Sequence, residues 1–293
     1  MAEENKVDID LSKVANLEAL KRTDSEFAQT VSEAKRKNKK SKFNFAESEL
    51  IQLPSKGLLY KNVTEDKDVL NGYIRIYPMT VEEEEILTTQ KFLKTGSATR
   101  MVLQSCIASD IDARDILMFD SNYLLFRLRQ ISYGNTYKFK IKCQNQFCEK
   151  DFEHSLNISD LQFNELSDDI KEPVVVKLPK SQYTVTFIYP RLAHSEEIFM
   201  RNNSRNKTTD DRDKSKLDDL ITTTIEILDK NGKLVNPKDW EDFYEALIGM
   251  DRAALTEKSR LLTGVESIKD VSCPYCGSKY EGGIPIGIEF FRL

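Results

Sequence analysis

Cys143-Gln144-Asn145-Gln146-Phe147-Cys148 in mid-chain and Cys273-Pro274-Tyr275-Cys276-Gly277 near the C-terminal end are the two stretches on which the reading of this chain turns. Four thiols in two close pairs suit one tetrahedral zinc. Zinc in structural sites takes four soft thiolates, and each short Cys-x(2–4)-Cys turn fixes two of them locally. Gly277 supplies the positive φ that a tight turn around a metal requires. Strand signals lead into both pairs. From Tyr137 to Cys143 the odd positions are Tyr, Phe, Ile and Cys while Lys fills 138, 140 and 142, a period-two alternation with one buried face. Lys279 to Ile288 reads as strand with a break at Gly282-Gly283. Both pairs are therefore expected at hairpin tips, as in a zinc ribbon, with Cys143, Cys148, Cys273 and Cys276 holding one structural Zn2+.

Other readings of these thiols are unrelated core cysteines or a redox pair, and 124 residues separate Cys148 from Cys273. Thioredoxin-like chemistry places the first thiol at a helix N-terminus, whereas strand signals flank this one. Cys106, set among Met101, Val102, Leu103 and Ile107, reads as a small buried apolar residue. His154 is a spare ligand beside four cysteines that already complete a site.

Net charge is −5 over 293 residues with 40% apolar content, enough for a real core. A nucleic-acid binder is expected to be basic, so the balance points to protein partners. The N-terminal Met1-Ala2-Glu3-Glu4-Asn5-Lys6 has no apolar signal region, and no apolar run is long enough to cross a bilayer. Two tight cysteine pairs and one single thiol fit a reducing compartment with a metal better than a disulfide framework.

Residues 1–47 read as a charged arm: eight acids against four bases over residues 1–34, then six basic residues among the eight from Lys35 to Lys42. Such an arm is either a solvated tail or a segment that orders on a partner through Leu17, Leu20 and Phe27. Residues 48–136 form an N-terminal α/β part. It opens with Leu53-Pro54-Ser55-Lys56-Gly57-Leu58-Leu59-Tyr60, a turn with Gly57 at positive φ and Leu58, Leu59 and Tyr60 either partly exposed or in the core. Tyr73 to Tyr77 is a strand. Thr80 and Glu83 form a capping box for a helix from Val81, whose acidic run Glu82 to Glu85 complements the positive helix end. Helices follow over about 98–109 and 121–133, the second capped by Asp120, closed by Gly134, and carrying Arg127 and Arg129 toward its edges.

Residues 137–293 form a split zinc-ribbon-like part, 137–156 and 268–293, around an insertion at 157–267. The insertion holds a hairpin over 174–178 and 183–189 and a helix capped by Ser195. An exposed polar loop follows from Asn202 to Lys216. A helix then carries Leu217, Leu220, Ile221, Ile225 and Leu228 to a turn at Asp229-Lys230-Asn231-Gly232. Asn236-Pro237 starts the next helix, with Trp240, Phe243, Tyr244, Leu247 and Ile248 on one face, and a last helix spans about 252–262 and ends at Gly264. The fold class expected is α+β, small hairpins and helices around a four-cysteine site. Metal binding there would close a long loop at an entropic cost that it offsets. The two histidines, His154 and His194, sit in no zinc-protease, triad or nucleophile-elbow signature, and there is no Gly-rich phosphate loop. The sequence gives no positive reason to expect an enzyme.

The series Leu53-Pro-Ser-Lys-Gly-Leu-Leu-Tyr60, Ile76-Tyr-Pro-Met-Thr80 with its acidic helix start, Arg127-Leu-Arg129 followed by Ser132-Tyr-Gly134, and then a cysteine-pair hairpin resembles the baseplate hub proteins of T-even-like contractile-tailed bacteriophages. The resemblance covers roughly residues 50–200, and the second cysteine pair is consistent with it. It implies a non-enzymatic viral protein that contacts other hub and tail proteins of its phage, in the cytoplasm of the infected host or in the virion baseplate. The basic arm 35–42 and the loop 202–216 match nothing in that series. A different class stays open on the residues alone: a zinc-ribbon nucleic-acid binder using Lys35 to Lys42 as an electrostatic arm.

Overall fold

Local capping and pairing rules account for much of the chain, and tertiary partners account for the exceptions. The computed structural model describes residues 47–205, 215–259, 268–286 and 288–291, all within the unit Phe45–Leu293. The anchors Leu17, Leu20 and Phe27 and the basic run 35–42 lie outside the described residues.

Strand β1 (Glu49–Gln52) pairs antiparallel with β2 (Tyr73–Ile76), Ile51 opposite Ile74. The turn between them buries Tyr60 and Leu59 and leaves Leu58 part-exposed, so it belongs mainly to the core. Gly57 has φ 75°, and a Cβ there would meet Val69 O at 2.5 Å, so no other residue fits without displacement. Short helix α1 (Lys67–Leu70) is capped by Asp66. The capping box forms as expected at the start of α2 (Val81–Thr88): Thr80 N donates to Glu83 Oε2 at 2.7 Å. The other Glu83 oxygen accepts from Ser105, fastening α2 to a later helix. Helices α3 (Gln90–Thr95), α4 (Ala98–Cys106) and α5 (Met118–Tyr133) follow.

Asp120 does not cap α5. The helix starts at Met118, whose N–H donates to Pro190 O at 2.9 Å, so a distant strand-like segment takes over the capping role. Asp120 instead lies fully buried in the first turn, accepting from Ser55 N at 3.0 Å and Tyr60 Oη at 2.7 Å. Burial pushes its carboxyl up to about 6, against the pull of those two donors. Arg129 is also internal rather than at a helix edge. Its guanidinium donates to Gly134 O and Thr136 O and lies over the rings of Tyr133, Tyr137 and Phe290.

Strands β3 (Thr136–Lys142) and β4 (Asp151–Asn157) form a hairpin whose strict alternation buries Tyr137, Phe139 and Ile141 and leaves the lysines in solvent. Strands β5 (Val174–Lys177) and β6 (Thr184–Phe187) form the expected second hairpin, joined by a third strand described below. Helix α6 (Leu192–Arg205) begins before Ser195, whose hydroxyl donates back to Leu192 O and so lies inside the first turn. The polar run from Asn202 is not one loop: 202–205 finish α6, 215 and 216 begin α7 (Ser215–Thr223), and 206–214 lie outside the described residues.

The helix expected to reach Leu228 stops at Thr223 and becomes β7 (Thr224–Leu228), giving a sheet of order β5-β6-β7. A run of β-branched residues, Thr222 to Ile225, favours that switch, and Ile227 then fills the core from the strand. Beyond the Asp229 turn, Asn236 caps the turn into α8 (Trp240–Glu245). Trp240, Tyr244 and Leu247 are buried as expected, whereas Ile248 is exposed just before α9 (Gly249–Ser259). Residues 260–267 lie outside the described residues. Strands β8 (Ile268–Ser272) and β9 (Lys279–Gly282) form the last hairpin, and a 3-10 turn, Ile288–Phe291, ends the described chain.

The class is α+β. One buried cluster runs from Ile51 to Leu192 and takes in Val271, Cys273, Phe290 and Phe291 from the chain's end. A second, around Val185, Phe187, Ile227, Trp240 and Tyr244, is built from residues between Val176 and Leu255. The C-terminal hairpin thus contributes to the first cluster, and its cysteine turn lies beside the turn between β3 and β4.

Candidate metal centre

Two hairpin tips meet at those two turns. Cys143 and Cys148 lie between β3 and β4, and Cys273 and Cys276 lie between β8 and β9. All four Sγ atoms lie within 4.8 Å of one another, with Cys143 and Cys276 at 3.6 Å and Cys148 and Cys273 at 3.9 Å. Four thiolates at 2.3 Å from a tetrahedral zinc would stand about 3.8 Å apart along each edge. The spacing and the all-sulfur donor set therefore fit a structural metal site, and the four cysteines are placed where they could hold a metal. His154 is not among them: it stacks edge-on to Phe139 in the β3–β4 hairpin. Cys106 is buried in the first cluster, and burial raises its thiol well above the ordinary value.

The two turns are built alike. In the first, Cys148 N and Glu149 N both donate to Asn145 O, at 2.9 and 3.1 Å. In the second, Gly277 N donates to Cys273 O at 2.9 Å. The residue after each second cysteine is left-handed, Glu149 at φ 47° and Gly277 at φ 73°. Gly277 meets that demand without strain, as its sequence context suggested; Glu149 does not, and nothing local marked it.

Electrostatics inside the centre are uneven. Hydrogen bonds from the Ser278 side chain and backbone draw the Cys276 thiol down to about 6. The Asn145 N–H pulls Cys143 the same way, yet burial and the neighbouring sulfurs together push it up to about 12. Like charges this close oppose one another, so four simultaneous thiolates require a cation between them. Cys143 and Cys273 are buried, Cys148 is half-buried and Cys276 is exposed, which leaves the centre open on the side of the second turn.

Two residues beside the thiols escaped the sequence reading. Asn145 and Ser278 face each other across the turns, Asn145 Nδ2 donating to Ser278 Oγ at 3.1 Å. An asparagine two positions after a turn cysteine is a recognisable Asx-turn former, but its partner on the other hairpin has no sequence signal. At the outer ends of the turns Phe147 is wholly exposed, and Tyr275 is exposed with Lys150 Nζ over its ring at 4.8 Å.

Among the described residues no helix is long and apolar enough to cross a membrane. A family model described as T4 bacteriophage base plate protein matches residues 47–292, a range that takes in every described residue. No curated protein and no solved structure matches the chain.

Proposed function

The chain belongs to the T4 bacteriophage base plate protein family, and from that premise we propose that it acts in the assembly or structure of the baseplate hub, through contacts with other baseplate and tail proteins of its own phage. We further propose that Cys143, Cys148, Cys273 and Cys276 hold one structural zinc ion. The observation that carries the first reading is the family match across residues 47–292. The zinc reading is supported by the donor set and the sulfur separations.

A tetrahedral centre filled by four protein thiolates keeps no position for water or substrate, which favours a mechanical role over a catalytic one. The chain path supports that role. A zinc there would join a hairpin at 136–157 to one at 268–282, and so fix the end of the chain against the first core. A baseplate component must keep its shape under load, and a closed metal site supplies stiffness that a short two-stranded hairpin lacks.

The test is capture of tagged full-length protein from infected cells together with mass spectrometry of purified virions. Recovery of hub proteins in the capture but not the protein itself in virions identifies an assembly chaperone, and presence in both identifies a structural subunit. Recovery of nucleic acid alone, released by moderate salt, would overturn the reading.

A further inference from the structure

The two knuckles are held together by protein groups as well as by sulfur, and one residue reaches both. Asn145 bonds to the Cys143 sulfur through its backbone N–H. Its side-chain Oδ1 accepts from Phe147 N at 3.0 Å, shaping its own turn. Its Nδ2 crosses to the other hairpin, donating to Ser278 Oγ at 3.1 Å and lying 3.8 Å from Cys276 Sγ. Ser278 in turn sits 3.3 Å from Cys276 Sγ through its hydroxyl, and its carbonyl accepts from Cys273 N at 2.9 Å. A residue separated from Ser278 by 133 positions thus links a sulfur of each knuckle.

We propose that Asn145 is a positioning residue of the metal centre: a clasp whose Nδ2 fixes the separation of the two knuckles and donates to the Cys276 sulfur, so that the four thiolates are arranged for the ion before it binds. The proposal rests on the zinc reading above. Four thiolates around a divalent ion leave a doubly negative unit. N–H donors aimed at sulfur offset part of that charge, and outer groups of this kind typically change metal affinity by about 10–100-fold. Cys276 is the most exposed of the four and benefits most from being held.

Asparagine and aspartate have the same shape and separate this role from simple turn formation. Asn145→Asp keeps the acceptor for Phe147 N–H, and aspartate serves an Asx turn as well as asparagine does. It replaces the cross-knuckle donor with an anionic oxygen beside the thiolates. Asn145→Ala removes both acceptor and donor. A residue that only shapes its turn would tolerate aspartate and suffer from alanine; a clasp would suffer most from aspartate.

The experiment measures zinc affinity of the full-length chain by competition with a chromogenic chelator. The cobalt(II) spectrum reports the thiolate count, and far-UV circular dichroism confirms folding. The expected result is a loss of about tenfold or more for Asn145→Asp, larger than for Asn145→Ala, with the four-thiolate cobalt spectrum retained. Ser278→Ala, which removes the hydroxyl that receives Nδ2, is expected to shift affinity in the same direction by less, and it carries the test if the aspartate variant does not fold. Aspartate within twofold of the native chain, with alanine impaired, would overturn the clasp. A native chain that takes up neither zinc nor cobalt would instead overturn the zinc reading itself.

Discussion

Replacing Phe290 by alanine tests whether the C-terminal turn closes the first core and thereby steadies the metal centre. The side chain is fully buried, its ring centroid 5.1 Å from Phe126, 4.9 Å from Tyr137 and 4.9 Å from Phe291, with the Arg129 guanidinium 5.7 Å away. Deleting a buried Phe typically costs about 3–5 kcal/mol. Three edge-to-face pairs and a lost face for a buried guanidinium place this position toward the upper end of that range. At about 2–4 °C per kcal/mol for a protein of this size, the melting temperature is expected to fall by roughly 8–20 °C. A second effect follows from the path of the chain. Tyr137 leads along β3 to Cys143, and its hydroxyl donates to Pro285 O at 3.0 Å, so loosening the turn also loosens the approach of the two hairpins. Calorimetry of zinc-loaded and chelator-treated protein reads both: the variant should melt lower in each state and bind zinc more weakly. A fall of less than about 2 °C in the loaded protein would show that the turn is not part of the core.

Chelation of zinc, or Cys276→Ser, is expected to remove several kcal/mol of stability, read as a large drop in melting temperature, and elemental analysis should return one zinc per chain; unchanged melting with no zinc would refute the site. Because burial raises the Asp120 carboxyl to about 6 in the folded state, its contribution is most favourable below the unfolded value near pH 4 and declines as pH rises toward 6. The stability difference between the native chain and Asp120→Asn, measured by denaturant titration, should shift by on the order of 2–3 kcal/mol across that window, and a flat difference would refute the assignment. Glu149→Gly should stabilise the first knuckle by up to about 1 kcal/mol by relieving a left-handed backbone, seen as a higher denaturation midpoint. Phe147→Ala, at a wholly exposed site, should leave the melting temperature unchanged within about 1–2 °C.

What the sequence revealed follows the range of the interactions concerned. The alternation of β3, the Thr80–Glu83 capping box and the left-handed glycines at 57 and 277 each depend on residues within a few positions, and each appears where local rules put it. The four cysteines that come together were legible for the same reason: each pair is a local turn, although the pairs are far apart. The misreadings involve groups satisfied at a distance. Asp120 looked like a helix cap because its partners Ser55 and Tyr60 stand 65 and 60 residues away. Arg129 was placed toward a helix edge because the ring of Phe290 that covers it arrives from the far end of the chain. The apolar spacing from Leu217 to Leu228 suits a helix throughout, and the β-branched run from Thr222 to Ile225, which that spacing outweighed, leads into a strand where β6 offers a pairing edge.

These distant contacts share a task, which is to tie segments that local structure leaves separate. Arg191 reaches Leu59 O across 132 residues and pairs with Glu172 at 2.7 Å, joining the start of α6 to the first turn of the fold. Asn145 reaches Ser278 across 133, and Phe290 seals the first core from the far end. The polar ties are specific but individually weak, since each exchanges water for one or two protein partners. At the knuckles a tie of that strength would have to hold two short hairpins against chain entropy, and a two-stranded hairpin is marginal by itself. A metal bound by four thiolates is strong enough for that task, while the Asn145 clasp sets the register in which it acts. On this view the zinc and the clasp divide the work: removing the ion should loosen the knuckle end of the C-terminal hairpin while Val271 and Phe290 still hold its base in the core, and removing the clasp should leave the knuckles joined around a weaker site.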